Sequence, residues 1–274
     1  MSRSDRPVQQ TFWRDAALPF VEARAVADGR GLHYGRHWHE THSVGVITGG
    51  RSTYVNGAHE ETVAAGAVVV VNPGAVHGCN PIDDTPWSYV MFYFDPAWLG
   101  RVQARLRGDA DTAFRPYDVP ALQAPHLVEA GVRLLAVLAD GALDVAVREA
   151  AAANFVARLH GALAPAVPAG AGAAAKVERV AHYIDTHFAG PLPLQDLCDA
   201  ARLSGSYLIR AFKKRYGVAP HEYQTNRRIQ YAKARLRAGA PIAQVALDTG
   251  FADQAHFQRV FKRMTAATPG QYRD

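Results

Sequence analysis

Between residues 20 and 94 the apolar residues come in short runs broken by turn formers. Ser43-Val44-Gly45-Val46-Ile47, Arg51-Ser52-Thr53-Tyr54-Val55, Ala67-Val68-Val69-Val70-Val71 and Trp87-Ser88-Tyr89-Val90-Met91-Phe92-Tyr93-Phe94 read as strands. Gly49-Gly50, Asn56-Gly57 and Asn72-Pro73-Gly74 separate or end them. Asn-Gly favours a two-residue hairpin, because both turn positions need positive φ. Many short strands at close spacing predict a small barrel or jelly roll. From His126 to Leu163 the period lengthens. Leu127, Leu134 and Leu138 share one helical face, and after Gly141 a second face gathers Phe155, Val156, Leu159 and Leu163. Residues 165–175, PAVPAGAGAAA, read as a linker by composition. Beyond it Val177, Val180, Ala181, Ile184 and Phe188 form another helical stripe.

The stretch from Leu192 to Tyr272 carries one pattern twice. Leu194, Leu197 and Leu203 are answered by Ile242, Val245 and Phe251 at an offset of 48 (242 − 194). Arg210, Phe212, Lys213, Pro220 and Tyr223 are answered by Arg259, Phe261, Lys262, Pro269 and Tyr272 at an offset of 49 (261 − 212). Two copies are too few for a solenoid, so each reads as a helix, a tight turn and a second helix. In the first copy Leu194, Leu197, Cys198 and Ala201 make the opening stripe, and Ser204 is placed to cap the second helix. Tyr207, Leu208, Ala211 and Phe212 make its buried stripe, and Gly217 stops it. In the second copy Ile242, Val245, Ala246 and Thr249 come first. Gly250 allows the bend, Asp253 caps, and Phe257, Val260, Phe261 and Met264 are buried. Between the copies, Tyr223 to Ala238 reads as one helix that would hold them at fixed separation.

The outer faces of the two second helices are polar and basic. The first offers Ser204, Ser206, Ile209, Arg210, Lys213 and Lys214; the second offers Gln254, His256, Gln258, Arg259, Lys262 and Arg263. In a helix-turn-helix the second helix enters the major groove. There Arg can grip guanine and Gln adenine with paired hydrogen bonds. The later lysines and Arg263 suit phosphates. One such pair is also compatible with a solvated basic face on a helical bundle; two in tandem point to duplex DNA.

Charge sharpens that division. Residues 175–274 hold 16 Lys+Arg and 8 Asp+Glu, a net of +8, and residues 1–174 hold 14 and 17, a net of −3, which together give the +5 of the chain. A basic C-terminal third beside an acidic remainder fits a nucleic-acid module carried by a domain that binds something else. Two cysteines, Cys79 and Cys198, make neither a disulfide framework nor a zinc set. Met1 to Pro19 is charged and does not read as a secretory signal, and no apolar run reaches membrane-spanning length. The expectation is a cytoplasmic protein.

LSGSYLIRAFKKRYGVAPHEYQTNRRIQYAKARL, followed by IAQVALDTGFADQAHFQRVFKRMTAATPGQYR, resembles the DNA-binding domain of AraC/XylS-type transcription regulators, with Gly250, Phe251, Asp253, Phe257, Phe261 and Lys262 as its most specific part. Six of the 12 histidines lie between His33 and His77. His37 and His39, the turn residues Gly66, Pro73 and Gly74, and then His77 resemble a cupin pattern. The resemblance implies a two-domain fold: an N-terminal all-β cupin-like barrel over residues 1–120, a helical dimerisation or packing segment at 121–164, the linker, and an all-α DNA-binding domain at 176–274. Its helix-turn-helix motifs are placed at 193–216 and 241–264. It further implies a non-enzymatic homodimer that binds promoter double-stranded DNA, with RNA polymerase as a further partner, under control of a small-molecule effector. His37, His39, His42, Tyr54, His77, Trp87 and Tyr89 are the candidate effector contacts. His37, His39 and His77 could also hold a divalent metal, although Ser43 and Val44 stand where metal-binding cupins carry a Glu. Two rival readings stay open at this point: a cupin metalloenzyme with an accessory helical domain, and a DNA-binding dimer that needs no ligand.

Overall fold

The computed structural model describes residues 9–83, 85–163 and 174–273. The chain divides into two compact units. The first comprises Met1–Leu32, His39–Gly74 and Cys79–Val167; the second comprises His33–Trp38, Ala75–Gly78 and Pro168–Asp274. The expected linker at 165–175 lies outside the described residues, except for Ala174 and Ala175.

Nine strands are described: β1 (Gln9–Trp13), β2 (Val21–Asp28), β3 (His42–Gly49), β4 (Arg51–Asn56), β5 (His59–Ala64), β6 (Ala67–Val71), β7 (His77–Pro81), β8 (Ser88–Phe94) and β9 (Ala121–Gln123). They form a six-stranded sheet in the order β1-β2-β8-β3-β6-β9 and a three-stranded sheet in the order β5-β4-β7. The expected barrel is therefore corrected to two open sheets. The larger ends on β1 at one side and on the three-residue β9 at the other, so among the described residues no strand closes it. β1, β2, β5, β7 and β9 fall outside the four runs expected from sequence. Glu22 and Arg24 interrupt the apolar character of β2, yet it pairs with β8 from Val21↔Phe94 to Val26↔Tyr89.

Alternation gives the large sheet two different faces. Val21 and Ala23 of β2, Val44 and Val46 of β3, Val68 and Val70 of β6, and Val90, Phe92 and Phe94 of β8 all enter one apolar cluster. The helices α1 (Pro96–Arg107), α2 (Pro125–Ala139) and α3 (Val145–Ala162) bring Trp98, Leu99, Leu127, Leu134, Phe155, Val156 and Leu159 to the same cluster. α1 starts where the Asp95 side chain accepts from Trp98 N (2.8 Å), with Pro96 in the first turn, and it stops at Gly108 (φ 65°).

The second unit holds α4 (Ala174–His187), α5 (Leu194–Ala201), α6 (Gly205–Tyr216), α7 (Pro220–Arg237), α8 (Ile242–Asp248), α9 (Gln254–Thr265) and α10 (Pro269–Arg273). Val180, Ile184, Leu197, Ala201, Leu208, Phe212 and Tyr223 form the core under α5–α6, which Trp38 and Val76 join. Phe251, Phe257, Phe261 and Tyr272 meet in succession, tilted or edge to face, with centroids 5.4 to 5.5 Å apart, under α8–α9.

Two positions depart from the expected stripes. Leu194 is 42% exposed and Tyr207 51% exposed. Leu208 and Phe212 already fill the buried side of α6, and a helix turns 100° per residue, so Tyr207 faces outward.

Candidate nucleic-acid interface and ligand face

α6 and α9 are built alike but capped differently. Asp253 accepts from His256 N at 2.6 Å and fixes the start of α9. Ser204 holds the corresponding place before α6, but its side chain makes no cap bond. α6 ends on Gly217 (φ 77°) and α9 on Ala266 (φ 52°).

Exposure sorts the expected DNA contacts. Ser204, Ser206, Arg210, Lys213 and Lys214 are exposed around α6, and Ile209 is half-buried. Gln254, His256, Gln258, Arg259, Lys262 and Arg263 are all exposed on α9. At the 49-residue offset Arg210 matches Arg259, Lys213 matches Lys262 and Lys214 matches Arg263. Tyr207 matches His256 by the same offset (256 − 207) and is exposed beside Ser206 and Arg210, so it belongs to the same outer face. The sequence reading placed Tyr207 in the core; the offset that links it to His256 is the signal that identifies it.

The two motifs are tied to one spine. On α7, Arg228 donates to Phe188 O (2.8 Å), Gly190 O (3.0 Å) and Gly250 O (2.8 Å). Gln224, one turn earlier, donates to Phe188 O (3.0 Å) and Gly190 O (2.8 Å). These bonds join the loop after α4 to the bend of the second motif. Gly250 itself has φ 70°, and a Cβ there would lie 1.9 Å from Ala189 O. Only glycine fits that approach.

The candidate effector residues divide between the two units. His37 and His77 form an isolated antiparallel bridge in the second unit, with ring centroids 4.4 Å apart. Each Nδ1 donates to a nearby carbonyl, Gly35 O and Ala75 O, at 2.9 Å. Burial pushes His77 down to about 4. In the first unit, the His39 ring bonds Thr41 O (2.9 Å) and Ser43 Oγ (3.2 Å) and meets the Tyr93 ring edge-on. His42 is fully buried among Phe114 and Tyr117, neither ring nitrogen has a hydrogen-bond partner, and desolvation lowers its pKa to about 3. It lies on the helix-covered face, with Phe94 and Val44. Tyr54 donates to Val70 O (2.8 Å), and Trp87 and Tyr89 stack at 4.5 Å; all three are buried. Among the described residues no three His, Cys, Asp or Glu side chains are placed to hold an ion.

A family model described as an AraC-like ligand binding domain matches residues 19–177, and a helix-turn-helix domain model matches residues 197–274. The chain belongs to the AraC-type regulators. It is a DNA-binding transcription regulator with an N-terminal ligand-binding domain. Among related proteins, the HTH-type transcriptional regulator YbfI of Bacillus subtilis is 25% identical over 222 residues, which span 80% of this chain and 80% of that protein. An HTH-type transcriptional regulator of Staphylococcus aureus is 38% identical over 99 residues, 36% of this regulator and 13% of its much longer relative. Among solved structures, ToxT of Vibrio cholerae matches with a TM-score of 0.59 at 14% identity over 97% of this chain and 96% of that one, a likeness of fold. Among the described residues, no helix of the regulator is long and apolar enough to cross a membrane.

Proposed function

We propose that this regulator switches promoter occupancy in response to a small molecule held by its first unit. The observation that carries the reading is the pair of matched basic helices, α6 and α9, presenting Arg210, Lys213 and Lys214 and Arg259, Lys262 and Arg263 on a chain whose other unit belongs to a ligand-binding family. Ser204, Ser206, Tyr207 and Arg210 read one stretch of groove; Gln254, His256, Gln258 and Arg259 read the next. The lysines and Arg263 hold phosphates. The effector acts by binding more tightly to one conformational state than to another, since equal affinity for both would shift nothing. A ToxT structure with an unsaturated fatty acid bound shares this fold, which supports control by a small-molecule effector.

The regulator works in the cytoplasm as a homodimer, makes contact with RNA polymerase at its promoters, and neither turns over a substrate nor requires a metal. Fluorescence anisotropy of the full chain on fragments of its own genome tests the reading. At moderate salt one or more promoter fragments should bind about a thousandfold tighter than bulk DNA. Binding should survive a chelator and change when the effector is present. Equal affinity for all fragments would overturn it.

A further inference from the structure

Among the helices of the first unit, a cleft of about 370 Å³ opens between α1, the loop that follows it and α3. That volume falls at the lower end of what small-molecule sites occupy. α1 contributes Trp98, Arg101, Ala104 and Arg105 to its lining. The loop is fixed in place. A Cβ at Gly100 would lie 2.1 Å from Thr112 O, so the loop rests directly on α1. Gln103 donates to Arg115 O (2.8 Å) and accepts from Arg115 N (2.9 Å). Asp109, also in the lining, is committed to that frame: its carboxylate accepts from Asp111 N at 3.0 Å and from Arg115 at 2.8 Å. A cleft with a rigid wall loses little freedom on binding.

The other charges of the lining are not spent on the frame. Arg101 and Arg105 stand one turn apart on α1, both exposed, and among the described residues neither has a hydrogen-bond or ion-pair partner. Arg105 gains from the C-terminal end of its helix, but Arg101 lies a turn earlier, and two like charges at this spacing repel. α1 contains no acid to offset them. On α3, Glu149 Oε1 accepts from Trp98 Nε1 at 3.1 Å. That bond anchors the carboxylate and leaves Oε2 without a partner among the described residues. Glu149 and the two arginines line one cleft yet form no ion pair with each other. Ala104 and Ala110 add methyl groups to the same lining.

We propose that this cleft binds a free amino acid with an apolar side chain: Arg101 and Arg105 hold its carboxylate, Glu149 Oε2 accepts from its ammonium, and Ala104, Ala110 and Trp98 meet its side chain. A guanidinium fork matches a carboxylate with parallel hydrogen bonds, and bonds between charged partners are the strong ones. Cations and a carboxylate that face one space without meeting are complementary to a molecule that carries both charges. A phosphate dianion would set its charge against Glu149, and an amine alone would leave both arginines unmatched. The site does not depend on promoter control, because binding to it is read without DNA.

Calorimetry on the full chain tests it with L-alanine, L-valine, L-leucine, L-methionine and L-phenylalanine, each beside its amide and its N-acetyl derivative. At least one amino acid should bind saturably. Its amide lacks the anion and its N-acetyl derivative lacks the cation, so each should bind about tenfold or more weakly. Arg101→Gln combined with Arg105→Gln should weaken the amino acid about tenfold or more, with Tm unchanged because both side chains are exposed. Glu149→Gln keeps an acceptor for Trp98 while removing the charge, and should weaken binding severalfold. The proposal falls if none of these amino acids binds at millimolar concentration, if the amide or the N-acetyl derivative binds as well as its parent, or if either variant binds as the unaltered chain does.

Discussion

At the residue scale, the outer face of each recognition helix decides what DNA is read. Arg259→Ala removes a side chain that is exposed and outside the core, so it should leave stability within about 0.5 kcal/mol of the parent's. Operator binding should weaken by ~1–3 kcal/mol and lose preference at one base pair, as measured by competition against single-base variants. Tyr207→Ala should likewise spare the fold and weaken the operator severalfold, a loss that a core residue could not show without melting. His42 carries a different expectation. Its folded pKa of about 3 lies below the ordinary 6.5, so below pH 6.5 the unfolded chain takes up a proton that the folded chain refuses. Stability therefore falls as pH drops from 6.5 toward 3, by up to ~1.4 kcal/mol per pH unit from this group. Denaturant titrations at pH 7 and pH 5 should show His42→Leu flattening that loss by about 2 kcal/mol. An unchanged slope would mean that His42 finds a hydrogen-bond partner in the folded state.

At the element scale, the two motifs share α7 as a common spine. Replacing Arg228 by Met removes its bonds to Phe188, Gly190 and Gly250 at once while keeping the length of the stem. Affinity for a two-site operator should drop at least about tenfold, with single-site affinity little changed, because the separation of the helices is no longer fixed. Gly250→Ala should be harsher, lowering Tm by several degrees, since the new Cβ meets Ala189 O and φ is positive. Both motifs were legible as elements: the stripes Val245-Ala246 and Phe257-Phe261, the cap at Asp253 and the stop at Gly217 are local signals. The reach of Ala189 to Gly250 was not, because it joins residues 61 positions apart (250 − 189) and leaves no local period. β2 was missed for a related reason. Glu22 and Arg24 look like loop residues along the chain, and only the strand register reveals that they stand on one face of the large sheet. The histidines divide in a way the sequence does not announce: His37 and His77 pair through the backbone in the second unit, and His42 is buried against Phe114 and Tyr117 in the first.

At the scale of the whole molecule, a short segment from the first half of the chain, His33–Trp38, is built into the helical unit. Within the second unit, Asn226 and Gln230 of α7 donate to Trp38 O at 3.0 and 2.7 Å, and Arg227 lies over the Trp38 ring. The next residue along the chain is His39, whose ring bonds Ser43. Gln230→Ala should therefore shrink the effector's influence on operator affinity while the effector's own thermal shift persists; an undiminished response would place the coupling elsewhere. The basic faces also set a salt dependence, and Lys213→Ala should reduce the slope of log K against log salt by about one. The central claim is that α6 and α9 read two stretches of one duplex together. In vitro selection of operators from random DNA by the full chain tests it most directly. The account predicts two preferred blocks centred about 10 base pairs apart, one erased by Arg210→Ala and the other by Arg259→Ala. A single block, or two blocks that both survive these substitutions, would contradict it.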